Sequence, residues 1–227
     1  MTDVTEVTVA AFEAHRRALR ERGQASMARV QRLTQEQAEL ARSLGGDLDA
    51  LSKNGEGVGL LDAKGETGLL ANLVRAFTGN RTAMARKSVT AALVAQYETV
   101  QRALRRATAL ADELRLCAVE LQVAVDELHQ TEEAAQKQAK QVAERLMAME
   151  AELQTVDQAR ERDRLDFEIR QEGTKLALLE GMVELSQAQL GPARALRDTM
   201  QTLHARTAQY VLGAAGRVNE AGRSVQA

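Results

Sequence analysis

The chain has 227 residues, a formal net charge of −2 and 2% aromatic residues, with no tryptophan. The near-neutral charge argues against a dedicated nucleic-acid-binding protein, and no run of about 18 apolar residues suggests a membrane span. Cys117 is the only cysteine, so an intrachain disulfide bond is excluded. The N-terminal residues do not resemble a secretory signal, and we predict a cytoplasmic protein.

The N-terminal part of the chain predicts one helix followed by a linker. Residues 1–44 form the predicted N-terminal helix, because their apolar residues recur at roughly helical spacing. Gly45 and Gly46 are expected to end it. Residues 45–68 hold seven of the fifteen glycines, and we predict that they form a flexible Gly-rich linker.

Residues 69–87 predict a short amphipathic basic helix and a connector. The apolar residues recur at i, i+1, i+4, i+5 and i+8, which places them on one helical face. No acidic residue lies between Glu66 and Glu98. A neighbouring helix or an anionic membrane surface would cover this face, and its shortness favours a helix. The predicted partner- or membrane-binding residues are Leu69, Leu70, Leu73, Val74, Arg75, Phe77, Arg81, Arg86 and Lys87.

Residues 88–212 form the predicted coiled-coil or helical-bundle body. Apolar residues follow alternating steps of four and three from Leu93 to Val156, and Glu132 is the only exception. A repeat of 3.5 residues sustained over this length indicates supercoiled helices. The predicted coiled-coil seam contains Leu93, Tyr97, Val100, Leu104, Leu114, Leu121, Val125, Leu128, Leu146, Met149 and Leu153.

The polar stretch 129–141 leaves two alternatives open. Residues 80–172 form one helix, or the chain folds back within this stretch. Gly173 and Gly191–Pro192 are expected to bound the helices that follow, and residues 213–227 are expected to be a flexible tail. The predicted fold class is all-α: an elongated coiled-coil hairpin or helical bundle with an N-terminal helix and a Gly-rich linker.

The length of the seam also predicts a helical protein partner or self-association. The helical segment after residue 165 is too short to cover the whole seam and the N-terminal helix as well. Some apolar surface therefore remains for a second chain, and a homo-oligomer is the simplest arrangement.

No pattern in the sequence predicts catalysis, a metal site or a cofactor. His15, His129 and His204 are far apart and lack the spacing of metal ligands. The stretch AKGETG has Lys64 before Gly65, unlike a phosphate-binding loop. Cys117 is interpreted as a thiol that packs in or beside the seam. We therefore predict that the protein is not an enzyme and has no catalytic residues.

Two segments resemble the toxic anion resistance family, the TelA-like proteins associated with tellurite resistance. One is AQYETVQRAL (95–104), in which Tyr97 and Val100 match and Thr99 replaces a serine. The other is VELSQAQLGPARALRDTMQTL (183–203), which matches through Gln187, Gln189 and Pro192. The family's Asn-rich run is missing, and the resemblance covers about residues 68–211.

This resemblance implies a non-enzymatic cytoplasmic helical scaffold or adaptor in a bacterial stress response, without a defined active site. A second resemblance is to phage-shock and ESCRT-like membrane remodellers, which combine an amphipathic segment with a long helical hairpin. It implies a membrane-associated remodelling or tethering protein that uses residues 69–87, peripheral at the inner face of the membrane. In those proteins the amphipathic helix is N-terminal, whereas here a predicted helix precedes it.

Overall fold

The computed structural model describes residues 8–63 and 81–226, including the side chains of residues 8–50 and 94–219. These residues form three helices: α1 (Val9–Ala63), α2 (Arg81–Leu153) and α3 (Ala159–Gln226). Apart from Thr8 and the connection 154–158, every described residue is helical. The predicted all-α fold is thereby confirmed.

The chain divides into two compact units, and each of the three helices contributes to both. The first unit contains residues up to Val30 together with Cys117–Met200. The second unit contains Gln31–Leu116 together with the residues from Gln201 onward.

In the first unit, α1 runs antiparallel to α2 and parallel to α3. Arg22 pairs with Glu127 at 3.4 Å, whereas Arg29, farther along α1, pairs with Glu120, which is earlier in α2. Toward α3, the order is the same in both helices. A Cβ atom on Gly181 would lie 3.2 Å from the ring of Phe12, and one on Gly23 would lie 3.5 Å from the Gln189 side chain. This unit is therefore a three-helix arrangement with apolar clusters that include Val125, Leu128, Leu190, Ala135, Val142 and Leu179.

In the second unit, the later part of α1 packs with the beginning of α2 and the end of α3. Leu44 and Val100 are fully buried, and both belong to one apolar cluster to which all three helices contribute. Its buried members are Leu44, Leu48, Val100, Ala103, Ala107, Ala214 and Val218. The alanines at these positions let the helix backbones approach closely.

The predicted end of the first helix at Gly45 and Gly46 is wrong. In the described part of the chain, α1 begins after Thr8, whose hydroxyl accepts a hydrogen bond from the Ala11 N–H at 3.2 Å, as expected of a helix N-cap. It then continues to Ala63. Residues 45–63 are therefore helix and not linker. Each glycine costs a helix about 1 kcal/mol, but Leu44 and Leu48 on either side are buried and stabilise the helical conformation.

The chain does not fold back within residues 129–141, which are helical throughout. α2 passes through this stretch without interruption and ends at Leu153, so the expected continuation to residue 172 is wrong. The carbonyl oxygen of Glu152 accepts hydrogen bonds from the N–H groups of Thr155 and Val156, at 2.9 and 3.2 Å, and from the Thr155 hydroxyl at 2.8 Å. These local bonds end the helix without glycine or proline.

The expected boundaries after residue 172 are also wrong, because α3 is one helix from Ala159 to Gln226 and contains Pro192. Proline removes the N–H bond to the carbonyl of Ala188, four residues earlier. Both residues are exposed, which lets water satisfy that carbonyl. The predicted tail is helical as well, since Ala214 and Val218 are each only 3% exposed in the second unit's core.

Candidate functional site

The predicted partner- or membrane-binding segment lies largely beyond the part of the chain that the structure describes. Leu69, Leu70, Leu73, Val74, Arg75 and Phe77 fall outside the described residues. Arg81, Arg86 and Lys87 belong to the first turns of α2, but their side chains are not among those that the structure describes. The hypothesis for residues 69–87 therefore remains a sequence prediction.

Most of the predicted seam residues lie on the inner face of α2. Those that belong to apolar clusters shared with other helices are Tyr97, Val100, Leu104, Val125, Leu128 and Leu146. The buried ones are Val100, Leu114, Leu121, Val125 and Leu128. The half-buried ones are Tyr97, Leu104, Leu146, Met149 and Leu153. The side chain of Leu93 is outside the described set. Cys117 is 3% exposed and also lies in the interior.

A polar network occupies the seam of the first unit at Glu132, the one position that breaks the apolar repeat. The Glu132 side chain is 14% exposed. Its Oε1 accepts hydrogen bonds from Gln187 Nε2 of α3 at 2.8 Å and from Gln136 Nε2 at 3.2 Å. Its Oε2 lies 3.7 Å from Nδ1 of His129. The network therefore satisfies a nearly buried carboxylate and links α2 to α3.

Arg194 extends this network, because its guanidinium donates to Nε2 of His129. An arginine cannot accept a hydrogen bond, so Nε2 must be the acceptor and Nδ1 carries the proton. That proton faces the Glu132 carboxylate. The sequence shows Glu132 as an exception in the repeat, but its partners on α3 become evident only once the α2–α3 pairing is known.

His15 and Ser186 of the first unit each hold a buried polar atom without a hydrogen-bond partner among the described residues, namely Nε2 of His15 and Oγ of Ser186. Ser186 is fully buried, and His15 is half-buried. Burial lowers the pKa of His15, and the nearby positive charge of Arg22 lowers it further. Both effects favour the neutral imidazole of His15.

Exposed ion pairs connect α1 and α2 at the surface of both units. In the first unit, Arg22 and Arg29 of α1 reach Glu127 and Glu120 of α2. In the second unit, Arg32 pairs with Glu113 at 2.7 Å, and this hydrogen bond raises the pKa of Arg32. These side chains are substantially exposed, so the ion pairs contribute little to the stability of the fold.

In the first unit, α2 and α3 extend beyond the start of α1 as a pair of helices. Val9 precedes Phe12 by three residues, or about 4.5 Å along the helix. Since Phe12 lies beside Gly181, the described part of α1 begins near residue 178 of α3. The pair continues from there to the connection 154–158. Its apolar seam buries Leu165, which is 3% exposed, but Met149, Leu153 and Ile169 are only half-buried, so the seam is partly covered.

A groove of about 390 Å³ lies in this pair of helices, and we refer to it as the hairpin groove. Oε2 of Glu172 is buried there and accepts no hydrogen bond from any described residue. Arg145 stands on the α2 wall, and Glu168 is one turn before Glu172 on the α3 wall. The groove is lined by Arg145, Ala148, Met149, Glu168, Gln171 and Glu172.

The second unit has a smaller depression of about 170 Å³, lined by Asp47, Ala50, Ala95, Gln96 and Thr99. Among the described side chains, those of residues 8–50 and 94–219, no group of three or more His, Cys, Asp or Glu is placed to hold a metal ion. Over residues 8–63 and 81–226, none of the helices has the length and apolar character needed to cross a bilayer.

Comparisons with protein-family models, with curated proteins and with solved structures give no match for this chain.

Proposed function

We propose that this protein is a non-enzymatic helical scaffold or adaptor that binds helical partners through its exposed helix surfaces and associates with itself. The observation that carries this proposal is the partly covered apolar seam of the α2–α3 pair. Half-buried Met149, Leu153 and Ile169 follow one another along it, in a part of the first unit that the described residues of α1 do not reach.

The distribution of side chains supports recognition by surface contact. The buried residues of both units are almost entirely aliphatic, so the interior consists of packed apolar side chains. Apart from Glu132 and Glu172, the charged residues lie mostly outside, and some form pairs between helices, such as Arg32 with Glu113. Such a protein presents helix faces, and helix-in-groove contacts are a common way for helical proteins to recognise one another.

The cellular context that we propose is a cytoplasmic role in a bacterial stress response, with resistance to toxic anions such as tellurite as the specific process. This part rests on the sequence resemblance at 95–104 and 183–203. Deleting the gene in its host should increase sensitivity to tellurite, and plasmid-borne wild-type protein should restore growth. Unchanged growth on tellurite would contradict this context without affecting the scaffold proposal.

The scaffold proposal is tested by sedimentation velocity on the intact chain across micromolar concentrations. A scaffold with a partly covered seam should sediment as a dimer or larger assembly at the higher concentrations. Replacing Met149 and Ile169 with Ser should shift it toward the monomer while helicity is retained. A chain that is monomeric throughout would contradict self-association.

A second candidate function is membrane tethering through residues 69–87, which is favoured by the acid-free basic sequence of that segment. The variant Leu73→Ser with Phe77→Ser separates the two functions. Loss of flotation with anionic liposomes, without a change in thermal melting, would support the membrane function. A lower melting temperature in a parent that does not float would support docking on a helix, and no change in either would eliminate this segment as an anchor.

A further inference from the structure

The hairpin groove carries a positive charge and apolar residues on its α2 side and negative charges on its α3 side. Ala148 and Met149 supply apolar surface, while Arg145 stands on α2 and Glu168 and Glu172 stand on α3. Glu168 has a partner on its own helix, Arg164 at 3.5 Å. The buried Oε2 of Glu172, in contrast, accepts no hydrogen bond from the described residues, including Arg145 across the groove.

A buried carboxylate oxygen without a partner is unfavourable, because it has lost water and gained no hydrogen bond in return. A cationic side chain entering the groove would lie beside the Glu172 carboxylate, which lines the groove, and would stabilise its negative charge. That side chain should arrive on a surface whose apolar part covers Met149, because Ala148 and Met149 line the groove. The groove itself carries such a surface, with Arg145 beside Ala148 and Met149.

We infer that the hairpin groove is the contact surface for a second copy of this chain, with Arg145 of each copy pairing with Glu172 of the other. This inference rests on the self-association in the proposed function and assigns it to a specific surface. Oppositely charged walls make the surface self-complementary, as a two-fold interface requires. Four helices, two from each copy, then enclose the seam residues that one helix pair leaves half-buried.

The charges also select the relative orientation of the two copies. A two-fold axis perpendicular to the helices would place α2 against α2 of the other copy, with Arg145 near Arg145 and the glutamates together. An axis parallel to the helices places α2 against α3 of the other copy, which brings opposite charges together. Like-charge contacts are strongly unfavourable, so the two hairpins should lie parallel.

A charge exchange tests the surface in the full-length chain. Arg145→Glu makes both walls acidic, and Glu172→Arg adds a positive charge to the acidic wall. Each variant alone should dimerise about tenfold more weakly than the wild type, whereas an equimolar mixture should form heterodimers of near wild-type affinity. Differently sized tags and sedimentation velocity distinguish these species. Lys140→Glu is the matched control, because it changes the charge of an exposed residue of α2 and should leave dimerisation unchanged.

Cross-linking tests the orientation independently. A chain with Ala148→Cys should form a disulfide with a chain carrying Gln171→Cys, and neither should cross-link efficiently with itself. Self-linking of the Ala148→Cys chain would overturn the parallel arrangement. Dimerisation that is insensitive to both charge variants would overturn the assignment of the surface while self-association stands. A wild-type chain that remains monomeric would overturn both.

Discussion

The hydroxyl group of Tyr210 donates a hydrogen bond to the carbonyl oxygen of Ala41 at 3.2 Å. This bond holds the hydroxyl close to the backbone one turn farther along α1. A Cβ atom on Gly45 would lie 3.2 Å from the Tyr210 hydroxyl oxygen, whereas a Cβ atom on Gly46 would meet nothing within 4 Å. Gly45 therefore provides space for Tyr210, and Gly46 has no comparable neighbour.

The two adjacent glycines should consequently respond differently to alanine. Gly46→Ala should stabilise the protein by about 0.5–1 kcal/mol, because alanine favours the helix. Gly45→Ala should gain less, or lose stability, because its methyl group displaces the Tyr210 hydroxyl. Chemical denaturation of the two variants gives the comparison. Equal stabilisation by both would contradict the role of Gly45.

Tyr210→Phe should cost about 1 kcal/mol by removing one partly buried hydrogen bond. In this background the methyl group at position 45 no longer meets a hydroxyl. Gly45→Ala should then stabilise about as much as Gly46→Ala, which a double-mutant cycle measures directly. Additive effects of the two substitutions would show that the residues are not coupled.

Leu114 and Leu116 form a matched pair for testing the core of the second unit. Leu114 is fully buried, and Leu116, two residues farther along α2, is 55% exposed. Leu114→Ala should cost about 2–5 kcal/mol through lost burial and a residual cavity, while Leu116→Ala should stay within about 0.5 kcal/mol of the parent. Thermal and urea denaturation of both variants measure the difference, and a reversed order would contradict the described packing of α2.

The polar network at Glu132 should make Glu132 and Gln187 energetically dependent on each other. Removing either partner leaves the other polar group without its hydrogen bond. We expect a coupling of about 1–2 kcal/mol in the cycle of Glu132→Ala and Gln187→Ala. The exposed pair Glu13 and Arg16, at 3.0 Å, is the control and should couple by less than about 0.5 kcal/mol.

Acidification should destabilise the first unit through His15. Burial, and then the charge of Arg22, lower the pKa of His15 in the folded protein below its ordinary value, which is about 6.5 in unfolded chains. Between these two values the unfolded state binds more protons, so stability falls as the pH is lowered through about 6.5 toward the folded pKa. His15→Leu should reduce this loss, and Arg22→Gln should reduce it in part. Urea denaturation at pH 7.5 and pH 5 measures the effect, which an unchanged loss in His15→Leu would contradict.

The candidate site was only partly accessible from the sequence. The exception at Glu132 is visible in the repeat, and Met149 and Leu153 belong to the predicted seam. The hairpin groove was missed, because Arg145 and Glu172 face each other only when the chain turns at 154–158. That connection uses Thr155 and backbone carbonyls instead of glycine or proline, so the usual signals of a turn are missing.

Although it left two alternatives open at residues 129–141, the sequence by itself determined the helical character of the protein and the apolar face of α2. Both follow from local properties, namely residues that favour helices and apolar residues that recur every 3.5 positions. Only the tertiary structure decided where α1 and α3 end. The local signals at Gly45, Gly173 and Pro192 predicted breaks, yet the helices continue past all three. A glycine costs about 1 kcal/mol and a proline about 3 kcal/mol, whereas burying several leucines and valines contributes more. The helices that bury these side chains come from distant parts of the chain.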